Sequence, residues 1–263
     1  MQDIISIQLF SLRNYGDLAR QLETLAGIGF RHVETIGSHL ADAAGTRALL
    51  DQHGMTAPSG HVGLADLRER FDWVADQAAA IGISQLYMPA VPPGEREGMP
   101  ADYWRKLGVE LGEMAVRMKS RNIGLGYHNH HWELFPCADG AIPFDLLIEA
   151  SAGSPLTIEA DLAWLVRGGA DPLAWMAKHK DRLSAIHVKD IAPQGENLDE
   201  DGWANVGAGT LDWPALHEAA RSHGVRLMVL EHDKPADAAA FARQSHAYLT
   251  GLSGEPSKTA RSA

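Results

Sequence analysis

The sequence predicts an α/β fold, a (β/α)8 barrel of the TIM type. Three observations predict it. Short apolar runs alternate with longer segments of helical period from end to end. Eight strand–helix units fit into about 250 residues, which is the arithmetic of such a barrel. The later apolar runs also end in side chains able to ligate a metal. An open doubly wound sheet is the rival, and it usually carries a glycine-rich phosphate loop after its first strand. Here the first run leads into Gln8-Leu9-Phe10-Ser11-Leu12-Arg13, which contains no such loop.

The expected strands are 3–8, 31–36, 55–60, 85–90, 123–128, 156–161, 183–188 and 225–231. After the first, Leu18, Leu22 and Leu25 fall on one helical face, with Asp17 as its N-cap. Gly29, Gly54, Gly82 and Gly224 precede later strands, where a left-handed helix C-cap is expected. Pro89–Pro100 is expected to form a long loop over the barrel mouth, and Tyr103, Leu107, Leu111, Met114 and Met118 mark the buried face of the next helix. No linker interrupts the pattern. One barrel domain is therefore expected over 1–252, followed by a small, polar, frayed tail over 253–263.

Composition bounds function only loosely. The chain has 263 residues, 45% hydrophobic and 22% charged, with a formal net charge of −11. That balance argues against nucleic-acid binding, which needs clustered Lys and Arg. The lone Cys137 excludes an internal disulfide and favours a cytoplasmic home. Met1–Ser6 shows no basic segment followed by an apolar run, so no signal peptide is expected. No apolar run approaches the length needed to span a membrane.

The densest chemistry lies in Gly126-Tyr127-His128-Asn129-His130-His131-Trp132-Glu133. Glu133 falls just beyond strand five, Asp161 ends strand six, His187 lies near the end of strand seven and Glu231 ends strand eight. Active sites of such barrels sit at the C-terminal ends of the strands. Three carboxylates and one imidazole there make a hard, oxygen-rich site for one divalent metal. Mn²⁺ is expected, and Mg²⁺, Co²⁺, Fe²⁺ and Zn²⁺ are compatible. Each of these residues alone reads more simply as a helix cap or a salt-bridge partner. Their joint placement at four consecutive strand ends carries the argument. Glu34 and His61 end strands two and three at the same mouth and are candidates to bind sugar hydroxyls, as is His128. Trp132 and Trp164 stand beside expected ligands, where an indole face can pack on a sugar ring. Lys189 follows His187 closely enough to bring a positive charge to an oxyanion, or else to pair with Asp190. Gly207-Ala208-Gly209 is the single candidate phosphate cradle, and it reads equally as a loop turn. A non-phosphorylated sugar or keto-sugar is therefore the expected partner.

Taken in order, several stretches make the chain resemble the xylose-isomerase-like sugar phosphate isomerase/epimerase superfamily over roughly residues 3–250. They are Ile7-Gln8-Leu9-Phe10-Ser11-Leu12-Arg13, Gly29-Phe30-Arg31-His32-Val33-Glu34, the Tyr127–Glu133 segment, Asp161-Leu162-Ala163-Trp164, Gly168-Gly169-Ala170-Asp171-Pro172, His187-Val188-Lys189-Asp190, Val206–Trp213 and Glu231-His232-Asp233. The resemblance implies a divalent metal, often Mn²⁺, on Glu133, Asp161, His187 and Glu231. The Tyr-His-Asn-His pattern resembles the branch of 3-keto-glycoside epimerases and lyases, which implies His130 as a base. Ala208 stands where that superfamily usually carries Glu, and the segment Gln194–Trp203 has no counterpart in its pattern. Barrels of this kind often form homo-oligomers.

The expected function is that of an isomerase or epimerase removing a proton beside a carbonyl, through a metal-stabilised enediolate. Epimerisation needs a base on each face of that intermediate, and Glu133 and Glu231 would supply the pair. The alternative is a lyase or hydratase on 3-keto-glycosides, with His130 as base and His128 or His61 as proton donor. A phosphodiesterase resembling endonuclease IV is disfavoured by the acidic charge and the single-metal pattern. A catalytically silent sugar-binding barrel would keep the fold without the chemistry.

Overall fold

The computed structural model describes residues 2–96 and 98–254. The expected tail therefore lies, beyond Gly254, outside the described residues. Eight parallel strands form one sheet: β1 (Ile4–Ile7), β2 (His32–Thr35), β3 (Thr56–His61), β4 (Gln85–Met88), β5 (Gly124–His128), β6 (Thr157–Asp161), β7 (Leu183–Val188) and β8 (Leu227–Leu230). Each expected strand is present, usually trimmed by a residue or two at its ends. The hydrogen-bonded order runs β1-β8-β7-β6-β5-β4-β3-β2. Closure comes between β1 and β2. There a parallel bridge joins Gln8 to Glu34, and the Gln8 amide donates to Glu34 Oε1 at 2.7 Å. The fold is thus a nearly closed (β/α)8 barrel.

The helices are α1 (Leu18–Ile28), α2 (Ala43–Gln52), α3 (Leu64–Glu69), α4 (Phe71–Ile81), α5 (Ala101–Ser120), α6 (Pro143–Ala150), α7 (Leu162–Arg167), α8 (Pro172–His179), α9 (Trp213–Ser222) and α10 (Ala238–Leu252). Asp17 caps α1 by accepting from the Arg20 amide at 3.0 Å. The left-handed turn that lets α4 double back into β4 is made by Gly82, at φ 93°. Leu22 and Leu25 of α1, and Leu111 and Met118 of α5, are fully buried against the barrel. Each such Leu contributes roughly 2 kcal/mol of burial.

The apolar core lies between the strands and the helices, because outward-facing residues such as Ile158, Ile186 and Met228 are the buried apolar ones. The inside of the barrel is polar. Successive strand residues point to opposite faces, and the inward set includes Ser6, Ser59, Gln85, Tyr87, Glu159 and His187. Gly124 and Gly126 make room for the larger members. A Cβ at Gly126 would stand 2.6 Å from the Tyr87 ring, and one at Gly124 would overlap the Gln85 amide. A short antiparallel hairpin, Asp190–Ile191 with Trp203–Ala204, rises from the end of β7. It contains the segment Gln194–Trp203. Arg167 ties it to α7 by an ion pair to Asp201 at 3.0 Å and by lying over the Trp203 ring. Among the described residues no helix is long and apolar enough to cross a membrane.

Candidate metal and active site

Alternation along the strands assembles the site. Glu159 and Asp161 are two apart on β6, so both enter the barrel, and Lys189 and Asp233 follow His187 and Glu231 at the same spacing. Glu34, His61 and His128 come in from β2, β3 and β5. Asp161 doubles as the N-cap of α7, its Oδ1 accepting from the Trp164 amide at 2.9 Å. Asn129 pins the strand ends together: its Oδ1 accepts from the Asp161 amide at 3.0 Å and its Nδ2 donates to the Asp161 carbonyl at 3.2 Å.

Two adjoining groups of potential ligands result. His128, Asp161, His187 and Glu231 form one, and His61, His128, Glu159 and His187 form the other; within each, the donor atoms all lie within 4.8 Å of one another. His187 stands between them. Its Nδ1 is 2.9 Å from Glu231 Oε2, and its Nε2 is 2.8 Å from Glu34 Oε1 and 3.2 Å from Glu159 Oε2. His61 Nε2 lies 2.7 Å from Glu159 and 3.1 Å from Glu34. The Lys189 ammonium is fully buried, 3.0 Å from Asp161, 2.8 Å from Glu231 and 3.0 Å from Asp233. These residues fit a divalent cation. Their donors are imidazole nitrogen and carboxylate oxygen, and the buried oxygens Glu34 Oε2 and Glu159 Oε1 have no hydrogen-bond partner among the described residues.

Burial and charge oppose each other throughout. Burial would raise the Glu34 carboxyl, but His61 and His187 outweigh it and hold Glu34 well below the usual range. Burial would likewise lower His61, but Glu34 and Glu159 lift it to about 9. Glu159 is raised by burial and by the charge of Glu34. Despite burial, Lys189 and His187 keep Glu231 ionised, and Asp161, Asp233 and Glu231 keep the ammonium of Lys189 charged. Burial, with the charges of Glu231 and Asp161, pushes Asp233 up to about 6 against the pull of Lys189. His130 goes the other way, driven well below its ordinary value by burial and by Lys189.

A cavity of about 400 Å³ opens onto this cluster, with His61, His128, His130, Glu231 and Asp233 as its polar lining. Phe10, Ile36 and Val62, with Pro89 and Ala90 of the Pro89–Pro100 segment, make its apolar part. Asp161, His187 and Glu231 come together as the sequence suggests, but Glu133 does not join them. Tyr127, next to the inward His128, points outward and packs edge-on to Phe144 of α6, and its hydroxyl donates to Glu133 Oε1 at 2.7 Å. The His130 amide donates to Glu133 Oε2 at 2.9 Å. Glu133 is thus fully buried in the layer between barrel and helices, where desolvation lifts it to about 7.

The two tryptophans expected to face a sugar have neighbours of their own. Trp132 carries His130 stacked at 4.2 Å and Arg96 at 4.2 Å. Trp164 stacks on His131 at 4.7 Å and meets Trp203 edge-on at 4.8 Å. Neither belongs to the cavity lining. Lys189 pairs with the site carboxylates rather than with Asp190. Asp190 instead accepts from the amides of Gly207, Gly209 and Leu211, so its own carboxylate fills the Gly207–Gly209 turn that sequence offers as a phosphate cradle. The sequence assigns no role to Glu159 or Asp233, although a period of two from Asp161 and Glu231 leads to both.

The model of the family described as xylose isomerase-like TIM barrel matches residues 22–251. The chain is 23% identical over 274 residues to the rhizopine catabolism protein MocC of Rhizobium meliloti, covering 89% of this chain and 81% of that protein. It is 25% identical over 154 residues to inosose dehydratase of Lacticaseibacillus casei, covering 53% of this chain and 51% of that protein. Among solved structures, a sugar phosphate isomerase/epimerase from Parabacteroides distasonis superposes with a TM-score of 0.77 at 20% identity, over 95% of this chain and 94% of that one. The IolI protein, solved with a zinc atom, superposes with a TM-score of 0.74 at 12% identity, over 97% and 98%.

Proposed function

The chain belongs to the xylose isomerase-like TIM barrel family, and from that premise we propose that it is an enzyme of carbohydrate-type substrates that removes a proton beside a carbonyl and then expels a neighbouring hydroxyl as water. The substrate is a small polyhydroxylated ketone. The observation that carries this reading is that His130 lines the cavity while Glu133, expected as one of the two bases for epimerisation, is buried outside it. Elimination needs one base and a proton donor. Epimerisation needs a base on each face.

His130 is the base. Burial and the nearby Lys189 keep it unprotonated at neutral pH, and its stacking on Trp132 fixes its ring in the cavity wall. Asp233 is the proton donor to the departing hydroxyl, its carboxyl pushed up to about 6 within the same cavity. Two titratable groups shifted in opposite directions make an acid–base pair. The proton leaves carbon for His130, the C–H electrons form the new double bond, and the hydroxyl departs with the proton from Asp233. A divalent cation on Asp161, His187 and Glu231 with His128, of which Mn²⁺ and Zn²⁺ are the leading candidates, would stabilise negative charge on the carbonyl oxygen. The inosose dehydratase relative and the zinc in IolI support this assignment. A second reading is isomerisation or epimerisation, favoured by Glu231, which lines the same cavity and offers another proton acceptor.

Proton NMR in D₂O tests both. Metal-loaded protein is incubated with a panel of inososes, ketoses and 3-keto-glycosides. The expected result is deuterium beside the carbonyl together with an unsaturated product. His130→Gln should lower the exchange by about 10²–10⁴-fold. Asp233→Asn should keep the exchange and slow the loss of water. An epimer as the product would establish the second reading, and exchange that survives His130→Gln would remove that base from the mechanism.

A further inference from the structure

We propose that the barrel seats a second divalent cation, deeper than the one assigned above, on Glu34, His61, Glu159 and His187. Four donor atoms form a ring there. Glu34 Oε1, His61 Nε2, Glu159 Oε2 and His187 Nε2 alternate oxygen and nitrogen, with edges of 3.1, 2.7, 3.2 and 2.8 Å. Donors about 2.0–2.2 Å from a first-row ion, at right or tetrahedral angles, stand roughly 3.0–3.5 Å apart. The ring therefore needs to open by only a few tenths of an ångström to accept one. Its two nitrogens and two oxygens suit Mn²⁺, Fe²⁺, Co²⁺ or Zn²⁺.

A second observation points to a ligand independently. Glu34 Oε2 and Glu159 Oε1, the remaining oxygens of both carboxylates, are fully buried and have no partner among the described residues. Protein interiors rarely leave a carboxylate oxygen so. Gln8 meanwhile holds Glu34 from the side, donating to Oε1 at 2.7 Å.

His187 keeps the two positions apart. Its Nε2 belongs to the deep ring, whereas its Nδ1 faces Glu231 at 2.9 Å; to hold both ions it would release its remaining ring proton to solvent and bridge them as an imidazolate. The carboxylates also fall into two sets: Asp161, Glu231 and Asp233 surround the buried ammonium of Lys189, whereas Glu34 and Glu159 pair with the imidazoles of His61 and His187. A cation in the deep ring would meet the charge of that second set.

Metal binding tests the site without any substrate, so failure of the proposed reaction and failure of this site are separable. The full chain is loaded with Mn²⁺, desalted, and its metal content measured by plasma mass spectrometry. Two ions per chain are expected, falling to one in Glu34→Gln and in Glu159→Gln, each checked for folding by circular dichroism. Asp161→Asn should also hold one ion, the deep one. Anomalous diffraction from wild-type crystals grown with Mn²⁺ needs no variant, and should show two peaks flanking the His187 ring. A single peak, a wild-type content of one ion, or two ions retained in both glutamine variants would each overturn the proposal.

Discussion

Glu133 shows how one side chain is placed by its neighbours rather than by its position in a motif. It stands three positions after His130, with two residues between, and a loop of that length can deliver it to either side of the barrel wall. The Tyr127 hydroxyl decides, because β-strand alternation sends Tyr127 outward when His128 faces in. The consequence is a buried carboxyl that keeps its proton up to about pH 7 in the folded chain, against 4.5 ordinarily. Its folded value is raised, so the native state binds the extra proton between those values and stability must fall as pH rises through that window. The loss is on the order of 3 kcal/mol. Glu133→Gln cannot ionise. Urea unfolding of the metal-free chain from pH 4.5 to 8 should show a weaker decline in the variant than in the wild type. Parallel declines would mean that Glu133 is not buried as described. The same alternation explains what was legible here. Asp161, His187 and Glu231 end or follow runs whose strand character is plain, so their inward direction follows. Glu133 and Trp132 lie in a single 3-10 turn after β5 and Trp164 in the short helix α7, where no strand periodicity states a direction.

At the scale of elements, the turn after the β7 hairpin is organised by one carboxylate. Asp190 Oδ2 accepts from Gly207 at 2.9 Å and Gly209 at 3.3 Å, and its Oδ1 accepts from Ile191 at 2.9 Å and Leu211 at 3.2 Å. A glycine-rich turn with converging amides reads in sequence as an anion site. What sequence could not show is that the anion is supplied by the chain itself, from a residue paired with Ala204 across the hairpin. Gly209 has to lack a side chain, since a Cβ there would overlap the Asp190 carboxylate. Hydrogen bonds to a charged acceptor contribute about 1.5–3 kcal/mol each, and these are too interdependent to add. Asp190→Ala should therefore destabilise by on the order of 3 kcal/mol and release the turn first. Hydrogen exchange is the measurement: the Gly207 and Leu211 amides should lose protection well before those of β6. Inorganic phosphate should not protect the wild-type turn, because its cradle is taken.

For the whole molecule, the alternation of eight apolar runs with helical segments carried the fold, because each strand must bury one face under a helix and the pattern repeats. Closure was less visible, because between β1 and β2 it rests on a single bridge, while a separate polar cluster fastens the other end of the barrel. At the mouth, Gln8 bridges β1 to β2 and donates to Glu34. At the opposite end, Asp3 Oδ2 accepts from His217 of α9 at 2.8 Å, from Ser253 after α10 at 3.1 Å and from Arg221 at 3.3 Å, tying both ends of the described chain to one helix. These two seams should be separable. Gln8→Met removes a buried bond to a carboxylate and should cost about 1.5–3 kcal/mol, or several degrees of Tm in a chain of this size. Asp3→Asn loses an acceptor charge shared by three donors and should cost a similar amount. Only Gln8→Met also frees Glu34, whose carboxylate closes the deep donor ring, so only that variant should weaken Mn²⁺ binding. Thermal melts with and without Mn²⁺ make the comparison. Asp3→Asn should keep the full metal-induced rise in Tm, while Gln8→Met should lose part of it. An equal rise in both variants would mean that the seam at the mouth is purely structural and that Glu34 reaches no cation.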